Sequence, residues 1–299
     1  MNIAIAGGTG FIGQHLTRAL TARGDMVYIL TRSPEKYQNT NNITFIGWLK
    51  EGNQPEKQLP KLDGIINLAG DSLFGYWTKA KKDKIYQSRI NATYAIIDLI
   101  EKLPTKPDVL INASAVGYFG ISETNTFTEQ STAIGDDFLA EVTKAWEETA
   151  LQAQSYGVRT VIARLGIVLG SKGSLPMITL PFHLFIGGRL GSGKQWVSWI
   201  HIQDVVRLFL YALDHPSIDR ALNLTAPTPV QNKELAQTIA TTLHRPNWFA
   251  IPSFLLRTLL GEMSMLIISG QKVIPEKARQ FGYQFQYETI TEALAEIYD

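Results

Sequence analysis

Apolar and polar positions along this chain follow two rhythms, and the switches between them mark its elements. Residues 2–6 (Asn-Ile-Ala-Ile-Ala) form a short β-branched and alanine run that predicts a strand. Phe11, Ile12, Leu16 and Leu20 then recur near helical spacing, after a turn with glycines at 7, 10 and 13. Further strands are expected over 26–30, 43–46, 64–68, 109–113 and 158–163. Between them, Ile85, Ile90, Ile96, Ile97 and Ile100 predict a long helix over 81–103, and Phe138, Leu139, Val142 and Trp146 predict another over 136–156. Strands alternating with helices imply an α/β fold, a Rossmann-type doubly wound parallel sheet with its ligand along the edge of strand C-terminal ends.

The pattern changes after residue 165. The stretch 166–199 is rich in glycine and proline; 202–213 reads as a helix and 221–224 as one more strand. From Pro227 onward, helices are punctuated by Pro246, Pro252 and Pro275. The expected division is a dinucleotide-binding domain of residues 1–164 and 199–226, with 165–198 and 227–299 forming a small, mostly helical substrate or lid region.

The 299 residues, 45% of them hydrophobic, are ample for a large core. The formal charge of +1, with no dense Lys/Arg run, gives no nucleic-acid or anionic-membrane footprint. The absence of cysteine excludes disulfides, thiolate metal sites and cysteine nucleophiles. Apolar stretches such as 263–268 are too short to span a bilayer, and a strand beginning at residue 2 leaves no room for a signal peptide. A cytoplasmic protein with a small-molecule ligand is expected; a homodimer stays open.

Strand, glycine turn and helix in that order suit a dinucleotide pyrophosphate. N–H groups at a helix N-terminus point at the anion, and the helix dipole favours it. Gly7 permits the tight turn, Gly10 lets the phosphates approach, and Gly13 lets the helix lie on the strand. Thr9, Phe11 and Ile12 complete the expected cradle. After the second strand, an NAD-binding unit usually carries a carboxylate for the ribose hydroxyls. Here the residues are Thr31, Arg32 and Ser33. A guanidinium fork fits a 2′-phosphate, so NADP(H) is favoured over NAD(H). Leu68, Ala69 and Gly70, after the fourth strand, would let adenine and ribose lie against backbone.

Residues 188–194 fit G-x-x-x-x-G-K, yet Gln195 follows where Ser or Thr is needed, and 196–200 is strand-like, so a triphosphate loop is rejected. His201 is expected to anchor the chain on the sheet rather than act as a base. The other histidines show no metal-ligand spacing, and no metal is expected.

Several segments together resemble the extended short-chain dehydrogenase/reductase superfamily, and most of all its atypical branch of YfcH-type epimerase-family proteins. They include 7–13 (Gly-Gly-Thr-Gly-Phe-Ile-Gly), 67–70 (Asn-Leu-Ala-Gly), Ser88-Arg89, 114–118 (Ser-Ala-Val-Gly-Tyr), 164–170 (Arg-Leu-Gly-Ile-Val-Leu-Gly) and 198–201 (Ser-Trp-Ile-His). In the tail they include 223–227, 260–263 and 270–275. The resemblance runs in order along nearly the whole chain. It implies a nicotinamide cofactor, places Arg89 and Arg164 in the cofactor groove, and assigns Ser114 to orient the reacting oxygen and Tyr118 to the proton.

The resemblance fails at one point. The superfamily's Tyr-x-x-x-Lys pair falls on Leu139 and Thr143; a one-residue shift recovers Lys144 but puts Ala140 at the tyrosine. One residue turns a side chain about 100° around a helix, so Lys144 cannot take the missing role. Two functions therefore stay open: an NADP(H)-dependent oxidoreductase or epimerase-like enzyme on a small polar substrate, and an NADP(H)-binding sensor without turnover.

Overall fold

A computed structural model describes residues 1–298. In chain order it contains β1 (Asn2–Ala6), α1 (Phe11–Ala22), β2 (Met26–Thr31), β3 (Ile43–Gly47), β4 (Gly64–Asn67), α2 (Lys79–Lys102), β5 (Val109–Ala115), β6 (Thr126–Phe127) and α3 (Phe138–Leu151). Then come β7 (Arg159–Leu165), β8 (Ile167–Leu169), α4 (Leu175–His183), β9 (Trp196–Val197), β10 (Trp199–His201), α5 (Ile202–Asp214) and β11 (Arg220–Leu224). The remainder comprises β12 (Val230–Gln231), α6 (Asn232–Thr242), α7 (Ser253–Leu260), α8 (Met265–Ile268), β13 (Lys272–Val273), α9 (Glu276–Gln280) and α10 (Ile290–Tyr298).

Seven strands form one parallel sheet in the order β3-β2-β1-β4-β5-β7-β11. The order reverses between β1 and β4, the place where open α/β sheets hold their ligands. The two-residue period of a strand divides β1 between two cores. Ile3 and Ile5 pack with Leu16 and Leu20 of α1 and with Leu208 and Phe209 of α5. Ala4 and Ala6 face the other side, with Ile96 and Ile100 of α2. Alanine there brings α2 close to the sheet beside the turn that follows β1.

The C-terminal part builds a separate core, in which Trp199, Leu235, Ile239 and Leu294 meet. Three separate two-stranded pairings accompany it: β12 with β9 inside this core, β10 with β8, and β13 with β6. Two carboxylates, buried Asp204 and half-buried Glu129, reinforce the joint. Asp204 accepts from the Tyr283 hydroxyl and from the Gln286 and Tyr287 amides, each at 2.9 Å. Glu129 accepts from the amides of Asn223 and Lys277, at 2.9 and 3.1 Å. Burial raises the Glu129 carboxyl above its usual range despite those bonds. No described helix is long and apolar enough to cross a membrane.

Candidate functional site

The glycines at the β1–α1 turn divide the work among them. Gly7 has φ +78°, and a Cβ there would lie 2.8 Å from the Leu68 carbonyl. A Cβ on Gly13 would lie 2.4 Å from Gly7 O, so any side chain would push α1 off the turn. A Cβ on Gly10 would meet only Gly7 O, at 3.2 Å, which leaves its outer side open to a ligand. Gly10 is also the N-cap of α1, with no side-chain cap and no acidic residue in the first turn. The first N–H groups of this 12-residue helix therefore face outward without a carboxylate to compete for them.

Beside this turn, Ser33 N donates to Thr31 Oγ1 at 3.3 Å, shaping the chain after β2. Arg32 is exposed and joins none of the ion pairs among the described residues. At the end of β4, buried Asn67 donates to Asn112 Oδ1 at 2.7 Å and to Thr93 Oγ1 at 3.0 Å, and its own Oδ1 accepts from Ala69 N. That network fixes Leu68, Ala69 and Gly70 as a small-residue shelf.

Arg89 of α2 lies against this shelf. A Cβ on Gly70 would be 3.3 Å from Arg89 Cγ and Cζ, so Gly70 makes room for the guanidinium. Arg89 joins none of the ion pairs among the described residues. Its Nη1 donates to the carbonyls of Asp71 and Ile85, and its guanidinium lies 5.2 Å from the Trp146 ring. The Asp71 carboxylate is held by Lys81 at 2.7 Å and Lys84 at 3.3 Å. Burial pushes the Arg89 guanidinium down to about 10. This partly buried cation beside the shelf is suited to an anionic ligand.

Ser114 and Tyr118 are in a different situation. β5 continues to Ala115, so Ser114 lies inside the sheet, paired in register with Arg164 of β7. It is 2% exposed, and its hydroxyl donates to Glu147 Oε1 at 2.6 Å, the length of a charge-assisted bond. Arg164 forks onto the same carboxylate, Nε to Oε1 at 2.8 Å and Nη2 to Oε2 at 2.7 Å. The face of Arg164 lies 3.6 Å from the centre of the Tyr118 ring. The single Ser114 proton is therefore directed into the protein, which leaves only oxygen lone pairs for another group. Arg164 is 5% exposed, with its fork engaged by Glu147 and its face by Tyr118. Tyr118 is half-buried.

At the positions of the usual dyad, the Thr143 hydroxyl donates to the carbonyls of Leu139 and Ala140, and Lys144 is exposed. Glu147, which ties the arrangement together, was not singled out from sequence. A signal for it was present: Ala140, Thr143, Glu147 and Ala150 share the buried stripe of α3, and a carboxylate on such a stripe needs a cation.

His201 is buried and N-caps α5 by accepting from Gln203 N at 3.3 Å; its Nε2 lies 2.8 Å from Glu296 Oε2. Burial lowers its proton affinity more than Glu296 and Asp204 raise it. The Asp204 carboxylate is directed to the tail rather than to the His201 ring. Arg189 donates to the carbonyls of Gly191 and Ser192, closing the 188–194 loop on itself.

Comparison with known proteins bears on this geometry. Residues 3–224 match the model of the NAD dependent epimerase/dehydratase family, and residues 251–297 match a domain of unknown function, DUF1731. The chain is 46% identical over 297 residues to the epimerase family protein YfhF of Bacillus subtilis, covering 99% of this chain and 98% of that one. It is 40% identical to the chloroplastic SDR39U1 homolog of Arabidopsis thaliana, covering 99% of this chain and 86% of the relative. Among solved structures, human epimerase family protein SDR39U1 with NADPH superposes with a TM-score of 0.87 at 31% identity, over 99% of both chains. UDP-glucuronic acid 4-epimerase from Bacillus cereus shares the fold, with a TM-score of 0.79 at 17% identity over 100% of this chain and 98% of that one. The glycine turn, the reversal of strand order beside it and the match over 3–224 agree: this chain belongs to the NAD dependent epimerase/dehydratase family.

Proposed function

We propose that the chain binds NADP(H) along the edge formed by the β1–α1 turn, the end of β2 and the shelf after β4, and uses it as an oxidoreductase on a small polar molecule. The observation that carries this reading is a pair of cations, Arg32 and Arg89, that join none of the ion pairs among the described residues and lie beside an uncapped helix N-terminus. Arg32 suits a 2′-phosphate where a carboxylate would repel it, and Arg89 suits a second anionic group. The residues fit a dinucleotide: Gly10 leaves its outer side open, and no acidic side chain occupies the first turn of α1. The NADPH bound by the human relative supports the same choice.

When bound, the nicotinamide supplies or accepts a hydride. This chain's residues would then handle the proton: Tyr118 gives it to the reacting oxygen during a reduction, and Ser114 accepts from the hydroxyl that forms. Because Ser114 donates to Glu147, its contribution to a ligand is as an acceptor, and it suits a hydroxyl better than a carbonyl.

A second reading, an NADP(H) sensor without turnover, is favoured by the hydrophobic Leu139 and the internally bonded Thr143 at the dyad positions. NADPH oxidation against aldehydes, ketones and nucleotide sugars separates the two; silence despite tight cofactor binding establishes the sensor. For the cofactor itself, Arg32→Ala should weaken NADPH by about 10- to 100-fold, the value of hydrogen bonds to a charged group, and leave NADH unchanged. Equal loss for both cofactors would show that Arg32 does not read the 2′-phosphate.

A further inference from the structure

We propose that a face built by α4, α7 and the ribbon between them docks this protein on an anionic phospholipid surface. The ribbon forms where 185–191 runs beside 248–251. Trp248 Nε1 donates to Phe185 O, Phe249 N to Gly187 O, Ile251 N to Arg189 O and Gly191 N to Ile251 O. These bonds join the end of α4 to the start of α7 in one continuous surface.

That surface leaves Phe185, Ile186, Trp248, Phe249, Phe254 and Leu259 exposed, Trp248 at 73% and Phe254 at 71%. At roughly 200 Å² per aromatic side chain, the four aromatic residues alone present about 500 Å², before the aliphatic ones are added. Apolar patches of that size on soluble proteins mark interaction sites.

Charge selects the partner. Residues 174–199 and 235–261 carry Arg189, Lys194, Arg245 and Arg257 and not one Asp or Glu, in a chain with 27 acidic residues. Of the acids that flank the second stretch, Glu234 is exposed on α6 next to Lys233, and Glu262 is paired with Lys82 at 2.7 Å. The near-zero charge of the whole chain, which argued against an anionic surface, averages over this local basic face. Arg245 lies 4.7 Å from the Phe185 ring, so a cation borders the apolar surface. Rings that enter the acyl boundary while cations remain among phosphate headgroups are the features of an interfacial binder. A second copy of the chain fits less well, since a two-fold contact would bring the same four cations together. Nucleic acid would leave the aliphatic side chains without a partner.

The test is co-sedimentation of the full chain with vesicles of phosphatidylcholine alone and of phosphatidylcholine mixed with phosphatidylglycerol, in low and high salt. Binding should require phosphatidylglycerol, weaken in high salt and fall at least about tenfold in the double variant Trp248→Glu/Phe254→Glu. Thermal unfolding should confirm that the variant is folded. Calorimetric NADPH binding on the same samples reports separately on the cofactor reading. The proposal is overturned if acidic vesicles recover no protein, or if the double variant binds them as well as the parent. It is also overturned if light scattering shows a dimer that the variant dissolves while the parent ignores vesicles.

Discussion

Removing Glu147 alone should damage this protein far more than removing it together with Arg164. The two side chains are 6% and 5% exposed and joined by two bonds of 2.8 and 2.7 Å, with Ser114 adding a third to the carboxylate. Glu147→Leu leaves a sealed guanidinium with only the faces of Tyr118 and Phe119 beside it. Breaking such a pair costs about 3–5 kcal/mol, because the surviving charge stays buried without compensation. At about 2–4 °C per kcal/mol for a chain of this order, that is a fall in Tm of roughly 6–20 °C. Arg164→Met should cost a similar amount. The double variant Glu147→Leu/Arg164→Met removes both charges and should come within about 1–2 kcal/mol of the parent, a coupling of several kcal/mol. Thermal and urea unfolding followed by circular dichroism measure all four corners of the cycle. A double variant whose loss equals the sum of the singles would refute the claim that the cost lies in uncompensated charge.

Other changes test neighbouring parts of the site. Gly13→Ala places a Cβ 2.4 Å from Gly7 O, so it should cost about 1–3 kcal/mol in stability, read by urea unfolding, and weaken NADPH more than tenfold by calorimetry. Tyr118→Phe keeps the ring under Arg164 and removes only the hydroxyl; NADPH affinity should hold while carbonyl reduction falls about 100-fold or more in a stopped assay. Unchanged reduction would remove Tyr118 from the chemistry. Arg89→Leu should weaken NADPH about tenfold by calorimetry, because it removes a cation beside the cofactor shelf. His201 binds its proton less readily when folded than its usual 6.5, so the unfolded chain takes up the proton first and stability falls as pH drops below that value. His201→Asn retains a side-chain acceptor for the helix cap and should flatten that part of the pH–stability curve.

The sheet was legible because its strands are short apolar runs set off by turns, a local pattern. The readings over 26–30, 43–46 and 64–68 differ from β2, β3 and β4 by one residue at the C-terminal end. The same small error mattered more at the site. Ending a strand at 113 leaves Ser114 at an open strand end, whereas β5 runs on to Ala115 and seals Ser114 beside Arg164. Side-chain networks are set by register and by contacts between distant segments. Glu147 with Arg164, and Asp204 with Tyr283 and the tail amides, join residues 17 and 79–83 apart. No periodicity reports such pairs. The small strands β6, β8, β9, β12 and β13 were blurred for the same reason: each is two or three residues long and exists through its partner.

Isothermal calorimetry on folded protein stripped of ligand tests most directly whether the β1–α1 turn grips a dinucleotide. One NADPH should bind per chain, more tightly than NADH, and Gly13→Ala should abolish most of the heat. No heat with either cofactor would contradict the central claim.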